Sequence, residues 1–205
     1  MKTREKIIQT ALQLFNEKGL SQVGVREIAR ALDISVGNLS YHFPKKEDIV
    51  LELFERIRST NEGHYAAYFA GPPQLDRFLA CFRAIFHNQY RHRGVFMGND
   101  EANRILQSQF GYAAVEQRRR DFMTRIFSEL HTAGELSLQA DELTFLVSFM
   151  TLFGRFWMME AFVSFRDRPV EEIIDHYLGL LRFQLGLFAT ETGRRRLAKG
   201  GERSA

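Results

Sequence analysis

Apolar positions recur with the period of an α-helix through most of the chain. In the first segment they form one stripe and the charged side chains lie off it; the stripe consists of Ile7, Ile8, Ala11, Leu12, Leu14 and Phe15. Thr3 suits a helix N-cap and Gly19 suits a helix end, so we expect the first helix over residues 3–18. No segment shows the sustained alternation of apolar and polar residues that indicates a strand. The pattern predicts an all-α protein.

Two short helices and one long helix follow. The second helix is predicted by apolar residues spaced i, i+3, i+4 and i+7, which are Val25, Ile28, Ala29 and Leu32. Asp33 tolerates turn geometry, and Ser35 can cap a third helix over residues 36–41, with Leu39 facing inward. Pro44 stands where a fourth helix, over residues 45–69, begins.

The remainder of the chain also follows the helical period. Residues 71–74 break it, and further helices are expected over residues 75–90, 100–110, 112–133, 141–165 and 170–190. The total is about nine helices, in a three-helix head at residues 1–46 and a larger helical domain at residues 47–193. Residues 194–205 are basic and rich in glycine, so we expect a disordered tail.

Composition narrows the class of protein. Nineteen of the 205 residues are Phe, which favours a large core or an apolar cavity, and the net charge of +3 is compatible with nucleic acid without demonstrating it. The single cysteine, Cys81, excludes an internal disulfide and indicates a reducing compartment. The most apolar stretch, residues 143–162, is interrupted by Arg155 and Glu160, so we interpret it as a buried helix rather than a membrane span. We expect a soluble, intracellular protein.

Residues 34–50 read ISVGNLSYHFPKKEDIV, and the small polar residues in this stretch are poor helix formers that folding alone does not explain. The second and third helices have the proportions of a helix-turn-helix, whose second helix enters the major groove of DNA. We therefore assign DNA contacts to Arg26, Ser35, Val36, Gly37, Asn38, Ser40, Tyr41, His42 and Lys46. The alternative is a Gly- and Ser-containing loop between two core helices.

The assigned contacts follow from the chemistry of each residue. Val36 can contact a thymine methyl group, and Asn38 offers a donor and an acceptor to adenine. Gly37 removes a side chain where the backbone must approach DNA, and Ser40 can bond to a base or a phosphate. The phosphates are assigned to Tyr41, His42 and Lys46.

Residues 25–54, VREIARALDISVGNLSYHFPKKEDIVLELF, resemble the DNA-binding region of TetR/AcrR-type bacterial transcriptional regulators. The shared features are Phe15-x-x-x-Gly19, Ile28-Ala29, Tyr41-His42-Phe43 and Lys46-Glu47-Asp48. The match covers about the first quarter of the chain; beyond it, helix number and chain length are similar. Three positions depart from the family pattern, which often has Ser or Thr at the position of Gly24, Gly at that of Asp33 and Tyr at that of Ser40. The last departure shifts a phosphate contact to Tyr41 and His42.

The resemblance implies a cytoplasmic homodimeric repressor, nucleoid-associated when bound, that a small apolar or aromatic effector releases from a palindromic operator in double-stranded DNA. Residues 1–46 would bind DNA, and residues 47–193 would bind the effector and dimerise. We expect no enzymatic activity, cofactor, metal or membrane association, because the sequence carries no phosphate-binding loop, nucleophile elbow or metal-ligand spacing. Two alternatives remain: a small-molecule-binding protein or enzyme that carries a trihelical module, and an architectural DNA-binding protein without an effector.

The last helices carry a pattern that predicts dimerisation. Glycines one heptad apart would permit close approach of a second helix, and apolar residues accompany them. We assign the dimer interface to Gly154, Tyr177, Gly179, Leu181, Leu185 and Gly186. A contact between these helices within one chain is the alternative.

Aromatic residues are abundant enough to line an effector pocket in the larger domain. The candidates are Phe86, Tyr90, Phe96, Phe110, Phe149, Phe153 and Trp157. For any one of them, a place in an ordinary core is the alternative.

Overall fold

The computed structural model of the protein describes residues 3–96, 104–105 and 111–199. The described residues form helices and no named strand, which confirms the all-α prediction; an isolated antiparallel bridge joins Leu136 and Ala189. The ten α-helices of this part of the chain are α1 Thr3–Lys18, α2 Val25–Ala31, α3 Val36–His42, α4 Lys46–Phe69, α5 Leu75–Arg91, α6 Arg93–Phe96, α7 Tyr112–Thr132, α8 Ala140–Ser164, α9 Val170–Gly186 and α10 Glu191–Lys199. A single 3-10 turn, Leu20–Gln22, follows α1.

The chain divides into two compact units. The first contains Met1–Thr60 and Arg91–Ala113, and the second contains Asn61–Tyr90 and Ala114–Ala205. The first compact unit thus extends past the predicted boundary at residue 46. The reason is that the first half of α4 buries Ile49, Val50, Leu53, Phe54 and Ile57 in the core of the first unit.

The first unit has an aliphatic core with few aromatic rings. Phe15, Leu20, Ile28 and Leu39 are fully buried in it. Because α1, the 3-10 turn, α2 and α3 each contribute one of these residues, the short helices are held by the core rather than by their own propensity.

Segment 91–96 is fastened to α1 within the first unit. The Asn16 side chain donates to the Arg91 carbonyl and accepts from the Gly94 N–H, both at 2.8 Å. A Cβ on Gly94 would lie 2.2 Å from the Phe15 carbonyl oxygen, so only glycine fits this approach. Val95 then enters the same core as Phe15.

The C-terminal residues of the described chain are ordered. The prediction of a disordered tail from residue 194 is wrong for residues 194–199, which belong to α10. Leu197 is buried, and Arg196 forms an ion pair with the buried Glu135, so one apolar and one charged anchor hold this basic helix. The predicted helix over residues 100–110 lies largely outside the described residues.

Candidate nucleic-acid interface

Helix α3 presents small and polar side chains to solvent. Ser35, Gly37 and Asn38 are exposed, and Tyr41 and Val36 are 84% and 40% exposed. A Cβ added to Gly37 would meet one atom within 4 Å, the Ser35 hydroxyl oxygen at 3.9 Å. The absence of a side chain at position 37 is therefore not required by packing within the protein.

Two buried residues anchor this helix, and one side chain begins it. Leu39 and Phe43 are buried in the core of the first unit. The Ser35 hydroxyl accepts a hydrogen bond from the Asn38 N–H at 3.1 Å, which caps the N-terminus of α3. Because the anchors lie on one side, the other side of α3 is left for a partner.

The turn between α2 and α3 is a Schellman-type helix end. Asp33 has φ 53°, and the Ile34 N–H reaches back to the Ala29 carbonyl at 3.1 Å. Asp tolerates this left-handed backbone better than most residues, which explains how Asp33 stands where glycine is usual.

Ion pairs join α1 to α4 within the first unit. Arg56 donates to Glu5 at 2.7 Å and to Glu52 at 3.0 Å, and Arg4 donates to Glu52 at 2.7 Å. The hydrogen bond from Arg56 holds the pKa of Glu5 below its usual value, and that from Arg4 does the same for Glu52. The Arg4 guanidinium also lies 4.7 Å from the centroid of the Phe43 ring, at the end of α3.

The remaining predicted contacts differ in accessibility. Arg26 is exposed on α2, whereas Ser40 and His42 are half-buried. The Tyr41 and His42 rings meet edge to face, with centroids 5.2 Å apart. These DNA contacts stay predictions.

Two adjacent lysines at the start of α4 have different surroundings. The Lys46 ammonium donates to the Leu20 carbonyl at 3.2 Å, so it fastens α4 to the 3-10 turn. Lys45 is exposed, and its N–H is bound by the Asp48 carboxylate at 2.9 Å. Lys45 is thus a cation near α3 that the sequence reasoning missed, because two neighbouring lysines give no periodic signal for which one points outward.

The predicted pocket residues do not form a single group. Phe86 and Trp157 are buried and stacked, with centroids 4.5 Å apart, and Phe153 lies 6.2 Å from Phe86. Phe149 and Tyr90 are half-buried in the same unit. Phe96 packs against Phe54 in the first unit, with ring centroids 6.0 Å apart, and its place in a pocket stays a prediction. Phe110 lies outside the described residues.

The predicted dimer residues fall on two faces of the last helices. Tyr177, Leu181 and Leu185 are buried inside their own chain. Helix α9 is apolar on more than one side, and periodicity does not distinguish those sides. The interface assignment stays a prediction. Gly154, Gly179 and Gly186 have no atom within 4 Å of an added Cβ.

The remaining candidates for reactive chemistry are metal ligands and the cysteine. In the described part of the chain, no group of three His, Cys, Asp or Glu side chains is placed to hold a metal ion. Burial raises the pKa of Cys81 to about 12, as expected for an inert core thiol.

Fold and site together define a helix-turn-helix protein, with a capped and core-anchored α3 as its outward helix. Residues 7–53 match the family model of the bacterial regulatory proteins of the tetR family. The chain is 36% identical to the probable HTH-type transcriptional regulator YttP of Bacillus subtilis (strain 168), over 44% of this chain and 45% of that protein. It is 35% identical to the HTH-type transcriptional repressor KstR2 of Mycobacterium tuberculosis (strain ATCC 25618 / H37Rv), over 57% of this chain and 59% of that one. The matches thus span about half the length of these curated relatives.

Solved structures extend the likeness to the whole chain. A TetR-family transcriptional regulator from Marinobacter aquaeolei VT8 superposes with a TM-score of 0.86 at 25% identity, covering 98% of both chains. The ketosteroid transcriptional regulator KstR2 of Mycobacterium tuberculosis shares the fold, with a TM-score of 0.70 over 93% of this chain and 96% of that chain, at 24% identity. These likenesses support a TetR-family transcriptional regulator, as the sequence predicted.

Proposed function

We propose that the protein is a dimeric, DNA-binding transcriptional repressor that a small effector releases from a palindromic operator. The observation that carries the proposal is the exposure of Val36, Gly37, Asn38 and Tyr41 on a helix whose opposite side is anchored by Leu39. Small and polar groups on a rigid helix suit the major groove, where base edges offer donors, acceptors and thymine methyl groups.

Asn38 and its neighbours have distinct roles in this proposal. The Asn38 amide reads adenine, and Gly37 lets the backbone come close to the duplex. Tyr41, Lys45 and Arg26 contact phosphates, since all three are exposed around α3. Lys46 acts through its bond to Leu20, which fixes the start of α4 beside α3.

A second copy of the chain would cover the outer face of α8 and α9. Large apolar residues are exposed there, and a face of this size is unusual on a monomer. They are Phe145, Leu152, Phe156, Met159, Phe162, Val163, Leu180, Phe183 and Leu187. We call this set the α8–α9 face.

Two features favour a helical partner for the α8–α9 face. Gly179 and Gly186 lie on the outer side of α9 with open space above them, so a second helix can approach closely. Among the described helices, α8 is long and apolar enough to cross a membrane, and 28% of its most apolar window is buried within the chain, so most of that window faces outward. Proteins of this family function as dimers, and pairing of two α8–α9 faces would explain the same apolar surface.

Pairing of two copies also serves the DNA contact. Two α3 helices related by a two-fold axis could enter successive major grooves of a palindrome, about 34 Å apart. An effector would act by binding more tightly to an arrangement in which the two helices no longer match the grooves. The protein would then work in the cytoplasm as a regulator rather than as an enzyme.

Selection of bound duplexes from random DNA tests the proposal, followed by a salt titration of the selected sequence. We expect a palindrome, and an affinity that falls steeply between about 50 and 200 mM salt as phosphate contacts release counterions. Failure to retain any duplex at low salt would reject the DNA-binding function.

A further inference from the structure

The basic charge of this protein is concentrated in its last residues. Residues 193–205 contain five basic side chains and one acidic side chain, so this segment has a net charge of +4. The whole chain has a net charge of +3, so residues 1–192 together carry −1. The five basic residues are Arg194, Arg195, Arg196, Lys199 and Arg203. A run of one charge sign is typical of a segment that meets a partner of the opposite sign.

The basic segment starts on α10, which is fastened to the turn after α7. The Thr190 hydroxyl accepts from the Gly193 N–H at 3.2 Å and donates to the Gly134 carbonyl at 2.6 Å. The Thr190 N–H donates to the Glu135 carbonyl at 3.1 Å. A Cβ on Gly193 would lie 2.1 Å from the same Glu135 carbonyl oxygen, so only glycine allows α10 to lie this close. These contacts fix the direction in which α10 begins.

Two further side chains decide which side of α10 faces inward. Leu197 is buried, at 5% exposed. Arg196 forms an ion pair at 3.3 Å with the buried Glu135, whose other carboxylate oxygen accepts from the Leu75 N–H at 3.2 Å. The charge of Arg196 therefore compensates a buried carboxylate inside the protein.

Arg194 and Arg195 lie on the opposite side of α10, and both are exposed. Arg195 forms an ion pair with Glu191, one turn earlier, and the two side chains are 74% and 80% exposed. Exposed pairs of this kind contribute little free energy, so Arg195 can exchange Glu191 for another anion. Arg194 has no acidic partner among the residues that the structure describes. The docked helix thus holds two accessible guanidinium groups side by side.

We propose that the outer side of α10 binds the phosphate backbone of duplex DNA without reading its sequence. The inference rests on the proposed DNA-binding function, to which it adds a contact separate from that of α3. The guanidinium groups of Arg194 and Arg195 can each bind a phosphate through two parallel hydrogen bonds. Each such pairing releases counterions from the duplex, so the affinity that it contributes depends strongly on salt.

Other kinds of partner suit this side of α10 less well. Its exposed residues include Glu191, Thr192, Arg194, Arg195 and Ala198. None of these has the large apolar side chain that usually forms the centre of a protein interface. A helix that lies on a membrane inserts its apolar side, whereas Leu197 of α10 is already buried within the chain. Charge is what this side offers, and a phosphate backbone complements it.

The first test replaces both exposed arginines, as Arg194→Gln/Arg195→Gln. Glutamine forms helices nearly as well as arginine, and neither residue anchors α10, so the Tm should stay that of the wild type. At about 100 mM salt the affinity for the selected operator should fall roughly 3- to 10-fold, and the slope of log affinity against log salt should flatten by about two for each chain bound. A scrambled duplex of the same length should lose affinity by the same factor, since phosphates carry no sequence information.

Two further variants separate a direct contact from a change in net charge or in the fold. Arg120→Gln/Arg125→Gln removes the same charge from exposed positions of α7 in the same unit, and should keep the wild-type slope. Arg194→Lys/Arg195→Lys keeps both charges on α10, and should also keep the slope. An unchanged slope in the glutamine variant of α10, an equal change in the α7 variant, or a flattened slope in the lysine variant would overturn the inference. A changed ratio of operator to scrambled affinity would overturn it too, because it would indicate base contacts.

Vesicles of phosphatidylcholine and phosphatidylserine test an anionic membrane as the partner. Wild-type binding to these vesicles that is lost in Arg194→Gln/Arg195→Gln, with the DNA salt slope unchanged, would assign this side of α10 to a membrane and overturn the inference. The same measurements separate the inference from the proposed function. A wild-type chain that retains no duplex at low salt would refute DNA binding itself, whereas operator binding with an unchanged slope in the variant would refute only the role of α10.

Discussion

Two surfaces of this protein are left uncovered by its own chain, and their chemistry differs. Helix α3 exposes small and polar groups, including Gly37 and Asn38, whereas the α8–α9 face exposes large apolar groups such as Phe156, Phe183 and Leu187. Helix α3 buries Leu39 on its other side, and α9 buries Ile174 and Leu181 on its other side. Neither composition is needed for the fold of the protomer.

The difference identifies the kind of partner that each surface suits. Polar groups on a rigid helix lose little by remaining in water, so α3 can stay exposed until it meets a hydrogen-bonding surface such as a DNA groove. Covering exposed apolar side chains lowers the free energy by about 25 cal/mol per Å² of apolar surface. We therefore expect permanent coverage of the α8–α9 face and reversible contact at α3.

The largest effect should come from a charge placed on the α8–α9 face. Phe183, at 75% exposed, is the most accessible aromatic residue of this face. Phe183→Glu would place two like charges near the two-fold axis of a dimer, and should weaken self-association by roughly 100-fold or more. Analytical ultracentrifugation of the variant should show monomers, and retention of palindromic DNA should fall with it.

Ser128→Glu provides the control for this change, because it adds the same charge at an exposed position of α7. A Phe183→Glu protein that still sediments as a dimer would show that the face has some other role.

The next effect should come from the amide of Asn38. Asn38→Ala removes a donor and an acceptor from the exposed side of α3, and should weaken operator binding by about 1–3 kcal/mol while relaxing preference at one base pair. Binding isotherms on the selected operator and its single-base variants measure both. Equal weakening on every sequence would indicate a phosphate contact instead.

Gly37→Ala should separate folding from DNA binding. An added methyl group has open space in the protein and improves helix propensity, so the Tm should stay equal or rise by a few degrees. Operator affinity should fall by about 10-fold if the backbone approaches the groove at this position. Unchanged affinity would show that DNA leaves room above residue 37.

The smallest effect should come from the ion pairs behind α3. Because the folded pKa of Glu5 is lowered by Arg56, its stabilisation is present above the unfolded pKa and is lost as the pH falls through the folded pKa. The wild-type Tm should thus drop from about pH 5 downward. The free energy of unfolding of Glu5→Gln should fall less over the same pH range, by about a few tenths of a kcal/mol, because the paired groups are partly exposed. Glu17→Gln, at an exposed position of α1, serves as the control; identical curves for Glu5→Gln and wild type would contradict the coupling.

Local features of this protein could be predicted from its sequence. Helix α1 ends at Lys18 before Gly19, and Ser35 caps α3, because each depends on neighbours within one turn. The helix-turn-helix was recognisable for the same reason, since its residues lie close together in the chain. The likeness to the tetR family was visible in those residues.

Only the tertiary structure decided which neighbour each helical face meets. The sequence placed Tyr177 and Leu181 on an apolar stripe of α9, but the fold turned them inward and left Leu180 and Phe183 outside. It also joined the first half of α4 and Val95 in one core, although they are distant in the chain. Periodicity reports which residues share a face of a helix, whereas the choice between the chain's own core and a partner depends on long-range packing.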